Sequence, residues 1–528
     1  MRMHHGPRLY RTSIWVYLKS VCTAPARAPA FDIAITIAIA TATGMAFATF
    51  GLSLGCVALD RRPPWSASSA YARSLGEIEA AASRATSARG ILNIGWARVP
   101  IRVPGNAPLA GYGERVHLGH APPRAQDALY VRAFALEVGT QRAIIFAADL
   151  LLIERPLADR VRAQIDAAQP GTHVFFTASH THSGPGGYAR GAVFELALGP
   201  FDAHVLDALA GTFTHAGLSA LADRAPAHAE TAEVIVEGVV TNRIERQGPI
   251  DDTLVLFLFS RADGRRAALY SFGCHPTTRP RESLALSADY PGDVARALEG
   301  IDVEVLAFAA GGVGSAEPAN AEQIAPRLIV EVRKALRMAE RSTGRSTERS
   351  THPSSARPLV PRGSRNESQL AFARVTLPFP PVRYRIFEDL MLPAPLVTAV
   401  IGFDRFELGA LVLNNAGMLF VPAELSGEIT RAARRAAHRN GLATLAVLPF
   451  DGTYAGYVGS RRAYDLPREA TLPLYPYETQ TLSFLGPWGA DLLANLSLRF
   501  LSGVRVRAQQ ASPRLSRPPR PSEAQVYH

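Results

Sequence analysis

The sequence contains little cysteine and almost no lysine. Its 528 residues include three cysteines, and Cys22, Cys56 and Cys274 are too widely spaced for a disulfide framework or a cysteine metal site. Lysine occurs only at Lys19 and Lys334, so the formal net charge of +10 comes almost wholly from arginine. Because these arginines are dispersed and no nucleic-acid-binding motif accompanies them, we predict no nucleic-acid partner. The positive charge instead favours anionic membrane surfaces.

Charged residues are absent from a long apolar run at Ile33–Leu59. The run has roughly the length of a transmembrane helix, follows the basic segment 1–30 and precedes Asp60. We predict a membrane anchor or uncleaved signal at 31–59, with the N-terminus in the cytoplasm and the remaining chain periplasmic or extracellular. A cleaved signal peptide is the alternative, although the run is long for one and begins late.

The remaining sequence is typical of one large α/β domain. With 47% hydrophobic residues, the chain can bury a substantial core. Helical periodicity at 156–168 and 321–342 alternates with strand-like runs such as 254–259, which predicts a mixed-sheet sandwich with flanking helices. Composition divides the chain further into a linker at 60–92 with some amphipathic helix, the domain at 93–505 with a flexible loop at 341–369, and a disordered tail at 506–528.

The segment Thr177–Tyr188, TASHTHSGPGGY, carries the clearest chemical signal. It begins at the end of a strand-like run, and in extended backbone His180 and His182 share a face. Two imidazoles placed in this way can both bind a metal, or one can bind it while the other contacts a substrate. A polar loop that merely contains two histidines is the alternative. The Gly-Pro-Gly-Gly sequence favours the first interpretation, because such backbone suits a loop close to a ligand.

The same segment resembles the THTHSGPGG signature of the neutral/alkaline ceramidases, zinc amidases that split ceramide into a fatty acid and sphingosine. The resemblance extends from about residue 95 to about residue 500 and includes shorter matches in the family's order. These are RAFALEVGTQRAIIFAADL at 132–150, SFGCHPTT at 271–278, VPAEL at 421–425, YAGYV at 454–458 and YETQTLSFLGPW at 477–488. We therefore identify a single large catalytic domain of this family, in a divergent bacterial-type member.

The resemblance implies a catalytic zinc site. By the family's motifs its ligands are His180, His275, Glu424 and Tyr457, and two imidazoles with one carboxylate form a recurrent catalytic zinc set. Without the resemblance, His275 and Tyr457 can also be explained as hydrogen-bonded core residues. Glu424 can likewise be a carboxylate at a helix N-terminus.

The resemblance also implies residues that contact the substrate. His182 would face the scissile carbonyl, where it can stabilise an oxyanion or carry a proton. Arg243 and Tyr477 match an arginine and a tyrosine of the family's site. We expect these side chains, with Tyr457, to surround the reacting group.

One segment departs from the family pattern. The sequence AFAAGGVGSAEPAN at 307–320 has Glu317 where the family has a serine that is assigned to its active centre. Glu317 can act as a general base if a metal-activated water is the nucleophile. Ser315 can replace the missing serine only if the loop is shifted. The missing serine weakens the prediction that ceramide is the substrate more than it weakens the prediction of a zinc site.

These features predict a membrane-associated zinc hydrolase that cleaves the amide bond of ceramide or a related N-acyl lipid with a metal-activated water. The expected partners are the lipid-like substrate and the membrane, and no protein partner is inferred. Two alternatives stay open. One is a zinc-dependent esterase or lactonase-like hydrolase acting on a non-ceramide substrate, and the other is a catalytically silent paralogue that binds lipid.

Overall fold

The computed structural model describes residues 58–59, 65–113, 115, 128–245, 247–344, 367–380, 384–387, 390–392, 404–466 and 477–510. The predicted basic segment 1–30 lies outside these ranges, as do residues 31–57 of the predicted anchor and most of the predicted loop and tail. No helix within the described ranges has both the length and the apolar character needed to cross a lipid bilayer. The anchor, the loop and the tail stay predictions.

The strands are numbered in chain order. They are β1 Ala58–Leu59, β2 Thr86–Gly90, β3 Leu92–Pro100, β4 Tyr130–Val138, β5 Gln141–Ala148, β6 Thr172–Ala178, β7 Ala225–Ile235, β8 Val240–Asn242, β9 Thr253–Arg261, β10 Arg266–Phe272, β11 Val305–Ala310, β12 Ala316–Pro318, β13 Ser368–Pro378, β14 Tyr384–Phe387, β15 Leu390–Leu392, β16 Arg405–Leu413, β17 Ala416–Val421, β18 Glu424–Leu425, β19 Thr444–Pro449 and β20 Tyr457–Val458.

The helices are numbered in the same way. They are α1 Ser69–Ser83, α2 Arg155–Ala168, α3 Ala192–Leu198, α4 Ala203–Ala222, α5 Asp289–Leu298, α6 Ile324–Gly344, α7 Gly427–Arg439, α8 Arg461–Tyr464 and α9 Gly489–Gln510. Single turns of 3-10 helix lie at Trp65–Ala67 and Gly486–Trp488.

Two large sheets form the centre of the domain. One has eight strands in the order β11-β10-β9-β7-β3-β4-β5-β6, and the other has five in the order β19-β17-β16-β13-β2. Most neighbours are antiparallel, but β10 and β11, β5 and β6, and β17 and β19 run parallel. The predicted mixed-sheet architecture is therefore confirmed.

Hydrophobic layers explain why the sheets pack face to face. Phe134, Phe257, Phe372 and Phe420, which come from both sheets, fill the layer between them. A second layer lies between the eight-stranded sheet and helices α2, α4, α5 and α6, and a third between the five-stranded sheet and helices α1, α7 and α9. Central strands such as β5 are buried on both faces, so they read as continuous apolar runs.

Most of the segment predicted as a linker is instead part of the domain. Helix α1 packs against α9 and β13, and β2 pairs with β13. Ile78 and Ala82 of α1 are buried at helical spacing, so the amphipathic helix expected there uses its apolar face for the core. Helix α9 reaches Gln510, which lies within the segment predicted as a disordered tail.

Candidate metal centre

The predicted metal ligands lie where strands of both sheets end. His180 follows β6 and His275 follows β10. The eight-stranded sheet curls so that its two edge strands, β6 and β11, contact each other and also contact β19 of the other sheet. From the five-stranded sheet the chain leaves β17 and enters β18, where Glu424 lies opposite Tyr457 of β20. Residues far apart in the sequence therefore meet at one point.

Three histidine rings at this point share one hydrogen-bonding pattern. Each Nδ1 atom contacts a backbone carbonyl oxygen, at 2.7 Å from His180 to Leu151, 2.9 Å from His275 to Ala316 and 3.1 Å from His182 to Gly111. Because a carbonyl oxygen only accepts, each Nδ1 donates and carries the hydrogen. Each Nε2 is then left with a lone pair, which is the form in which imidazole binds a metal.

The free atoms of His180, His275 and Glu424 form a triangle. Nε2 of His180 lies 3.2 Å from Nε2 of His275, and Oε2 of Glu424 lies 3.2 Å from each of these nitrogens. The donor atom of His182 is also close, since the three histidines offer ligand atoms within 4.8 Å of one another. With both imidazoles neutral, three atoms that carry lone pairs therefore face each other.

This arrangement fits a tetrahedral zinc ion. With metal–ligand distances of about 2.0–2.1 Å, tetrahedral geometry separates two ligand atoms by about 3.3 Å, close to the 3.2 Å sides of the triangle. Oε2 of Glu424 and Nε2 of His182 are buried and have no hydrogen-bond partner. Buried polar atoms normally have partners, and a cation inside the triangle would satisfy Glu424 and offset the repulsion between the lone pairs.

Tyr457 and Arg243 lie on one side of the triangle. The Tyr457 hydroxyl is 3.4 Å from Nε2 of His275 and accepts a 3.0 Å hydrogen bond from a terminal nitrogen of Arg243. Nε of Arg243 forms a 2.9 Å ion pair with Oε1 of Glu478, and its guanidinium also lies near the rings of Tyr457 and Tyr477. The Tyr457 oxygen is thus close enough to serve as a further ligand or as a hydrogen-bond donor.

Burial and neighbouring charges set the protonation states in the cluster. Burial lowers the pKa of His275 from 6.5 to about 4, and the Arg243 guanidinium acts in the same direction. Burial also lowers the pKa of His182 well below 6.5. Burial alone would raise the pKa of Glu424, but the coulombic attraction of His180 and hydrogen bonds from His180 and His275 outweigh it and hold that pKa well below 4.5. These contacts need hydrogen on the Nε2 atoms. A cation in the triangle would stabilise the carboxylate in their place and leave the imidazoles neutral, which is the state that binds a metal.

The backbone around the histidines is unusual. His180 has a φ of 64°, in the left-handed region that bulky residues seldom adopt. Gly111 has a φ of +102°, and a Cβ there would lie 2.6 Å from Cα of His182. In the Gly-Pro-Gly-Gly loop, a Cβ at Gly186 would lie 1.9 Å from the carbonyl oxygen of Leu198. Gly186 is therefore required by packing against a helix end.

The predicted substrate-contacting residues also surround the triangle. His182 is half-buried, with its ring centre 5.0 Å from those of His180 and Tyr112. Tyr477 is 39% exposed, and its ring meets that of Tyr457 edge-on at 5.5 Å. The side of the cluster near Tyr477 therefore reaches the surface, where a substrate can enter.

No described hydrogen bond joins the side chains of Ser315 and Glu317 to those of His180, His275 or Glu424. Oγ of Ser315 accepts a hydrogen bond of 3.1 Å from the backbone N–H of Gly427, at the start of α7. Its carbonyl oxygen accepts one of 2.9 Å from the backbone of Arg243. Glu317 is half-buried on β12, opposite Thr241 of β8, and no hydrogen bond joins its side chain to the described cluster residues. Ser315 supports the loop of Arg243, and the catalytic roles considered for Ser315 and Glu317 stay predictions.

Sequence reasoning missed two residues that hold the cluster. The hydroxyl of Tyr454 donates a 2.6 Å hydrogen bond to Oε1 of Glu424, and Glu478 holds Arg243. Both lie within matched motifs, Tyr454 at the start of YAGYV and Glu478 directly after Tyr477. Their positions were thus visible in the sequence, but their contacts depend on the tertiary fold.

Comparison with known proteins supports the predicted resemblance. Residues 106–366 match the family described as neutral/alkaline non-lysosomal ceramidase, N-terminal. This range includes His180, His182, Arg243 and His275 and ends before Glu424. No curated protein matches the chain.

Two solved structures share the fold. One is described as "Ceramidase complexed with C2", is 17% identical with a TM-score of 0.61, and is aligned over 83% of this chain and 78% of its own. The other is the neutral ceramidase from Pseudomonas aeruginosa, also 17% identical with a TM-score of 0.61, aligned over 82% of this chain and 77% of its own. At this identity the similarity shows the fold alone.

Proposed function

Since residues 106–366 place this chain in the neutral/alkaline non-lysosomal ceramidase family, we propose that it is a zinc-dependent amidohydrolase. Its proposed substrate is ceramide or a related N-acyl lipid. The observation that carries the zinc proposal is the triangle of His180, His275 and Glu424, whose donor atoms lie 3.2 Å apart. Zinc bound there supplies a Lewis acid for the carbonyl and lowers the pKa of a water molecule.

The chain's own groups have separate tasks in the proposed reaction. Tyr457 and Arg243 present hydroxyl and guanidinium hydrogens beside the triangle, where they can stabilise the negative charge that develops on the carbonyl oxygen. Nε2 of His182 is buried and unpartnered, so it can take a proton from water and return it to the leaving amine. Tyr477, at the exposed side, contributes to substrate binding.

We also propose that the protein acts at a membrane, with the catalytic domain periplasmic or extracellular. The support is the uncharged run Ile33–Leu59 and the net charge of +10. A lipid substrate agrees with such a location, because acyl chains partition into the bilayer.

The test is hydrolysis of a fluorescent short-chain ceramide by the full chain, after chelation and after zinc is restored. Zinc should restore release of the fatty acid, and Glu424→Ala should lower kcat/KM by more than about 100-fold because it removes a ligand. Glu331→Ala, which changes a buried glutamate outside the cluster, should keep most of the activity.

Other outcomes separate the alternatives. If the chain binds one zinc yet hydrolyses only esters or lactones, the amidase assignment is wrong and the zinc chemistry stands. If it binds zinc but turns over neither class, Glu317 at the position of the family serine points to a silent lipid-binding paralogue.

A further inference from the structure

Two residues with left-handed backbone stack on each other beside the triangle. Phe450 has a φ of 78° and His180 a φ of 64°, and their rings lie nearly parallel, 4.6 Å apart at 15°. Phe450 is completely buried. A bulky residue adopts this backbone only when its surroundings enforce it, and such strain concentrates at functional sites. The ring of Phe450 covers one face of His180 and restricts its rotation.

Asp451, the next residue, ties the same turn to the strand that carries His180. Its Oδ1 accepts a 2.9 Å hydrogen bond from the backbone N–H of Phe176 in β6. Its Oδ2 lies 3.0 Å from a terminal nitrogen of Arg374, on β13 of the five-stranded sheet. Arg374 also donates to the carbonyl oxygen of Val174 in β6. Asp451 and Arg374 thus join the two sheets close to His180.

The turn is also attached to the segment that carries Glu424. The backbone N–H of Phe450 donates a 2.9 Å hydrogen bond to the carbonyl oxygen of Val421, the last residue of β17. A few residues later, the N–H of Ala455 donates to the carbonyl oxygen of Pro422. One short turn therefore contacts two of the three chain segments whose side chains form the triangle, those that carry His180 and Glu424.

We propose that Phe450 and Asp451 are positioning residues that set the separation and orientation of His180 and Glu424, and thereby the affinity for zinc. Neither side chain is one of the proposed ligands. The inference rests on the proposed zinc centre. Ordinary core packing contributes to the stability of the fold. The role proposed for this turn is different, because affinity for the metal depends on holding ligands from two sheets at a fixed distance.

The matched comparison is Phe450→Leu against Phe259→Leu. Phe259 is also completely buried, and its ring lies 5.5 Å from that of Phe134. It pairs with Ala267 near the start of β10, whereas His275 follows the end of that strand. Both substitutions remove a buried aromatic ring, so both should lower the melting temperature of the zinc-free protein. Only the change at Phe450 should alter the binding of zinc.

The measurement is the zinc dissociation constant of the full chain, from competition with a chromophoric chelator. Phe450→Leu should weaken binding by about 10- to 100-fold, and Phe259→Leu by less than about threefold. Equal affinities in the two variants would overturn the proposal. Phe450→Met, which keeps the volume more closely, replaces Phe450→Leu if that variant does not fold.

A wild-type chain that binds no zinc would instead refute the proposed function itself. Failure of the proposed function is therefore distinguishable from failure of the inference about Phe450 and Asp451.

Asp451→Asn provides an independent test, because it keeps the acceptor for the Phe176 N–H and removes the charge that faces Arg374. It should also weaken zinc binding, and an unchanged dissociation constant would remove Asp451 from the proposal.

Discussion

The hydroxyl of Tyr454 lies 2.6 Å from Oε1 of Glu424 and donates a hydrogen bond to it. This bond occupies one carboxylate oxygen and leaves Oε2 directed at Nε2 of His180 and His275. Burial raises the pKa of Tyr454 well above 10.0, and Glu424 acts in the same direction. The tyrosine therefore stays a donor, and it fixes the carboxylate in an orientation that suits a single-oxygen ligand.

Replacing Tyr454 by phenylalanine should weaken zinc binding. The carboxylate would lose its fixed orientation and the site would lose affinity by about 10- to 100-fold. Tyr270→Phe is the matched control, because Tyr270 is fully buried and its hydroxyl has no hydrogen-bond partner in the described structure. Chelator competition on both variants checks the prediction, and similar affinities would contradict it.

His180 and His182 should have separable functions. His180→Ala should remove tight zinc binding together with activity, because a side of the triangle is lost. His182→Ala should retain about one zinc per chain while kcat falls by about 10²- to 10⁴-fold. Metal analysis of dialysed protein, combined with turnover, tests both. Loss of zinc from His182→Ala would show instead that all three clustered histidines are ligands.

Arg243→Lys should impair catalysis even though the charge is kept. The guanidinium reaches Glu478 through Nε and Tyr457 through a terminal nitrogen, and a lysine ammonium cannot reproduce this fork. We expect kcat to fall by about 10- to 100-fold, with zinc binding unchanged. Arg265→Lys, at an exposed ion pair, should behave like the wild type. Normal turnover in Arg243→Lys would exclude the oxyanion role.

Glu154 should make stability depend on pH. Burial raises the pKa of Glu154 from 4.5 to about 7, although the N–H of Arg155 opposes the shift. Between these pH values the folded chain holds more protons than the unfolded chain. This carboxyl's contribution to the free energy of unfolding therefore decreases as the pH rises through that window, by roughly 3 kcal/mol.

Glu154→Gln keeps the acceptor for the Arg155 N–H and removes the titration. Its stability relative to the wild type should rise from pH 4.5 to pH 7. Urea unfolding of zinc-free protein at several pH values measures the difference, and the exposed Glu322→Gln serves as control. A constant difference between Glu154→Gln and the wild type across this range would disprove the assignment.

Local pattern was enough to predict the main elements of the fold. The periodicity at 156–168 corresponds to α2, and the apolar run before His180 corresponds to β6. These patterns can be read from the sequence because they depend on which face of a helix or strand is buried. The linker at 60–92 was misassigned because its composition is polar and rich in small residues, whereas its few apolar positions pack on α9 and β13.

The site was predictable only in part. His180, His275, Glu424 and Tyr457 come together as expected from their motifs, although their roles as ligands stay predictions. The contacts of Tyr454 and Phe450 depend on how two sheets meet, which no local pattern encodes. The position of Glu317 follows from the pairing of β12 with β8, a long-range register that the sequence does not specify.

The triangle joins two sheets, which has a kinetic consequence. His180 and Glu424 are separated by more than two hundred residues of sequence, so the unfolded chain must close a very long loop before their side chains can meet. We expect metal capture to be a late event in refolding, after both sheets have formed and docked. The rate at which a refolding chain acquires zinc would then report the completion of the whole domain.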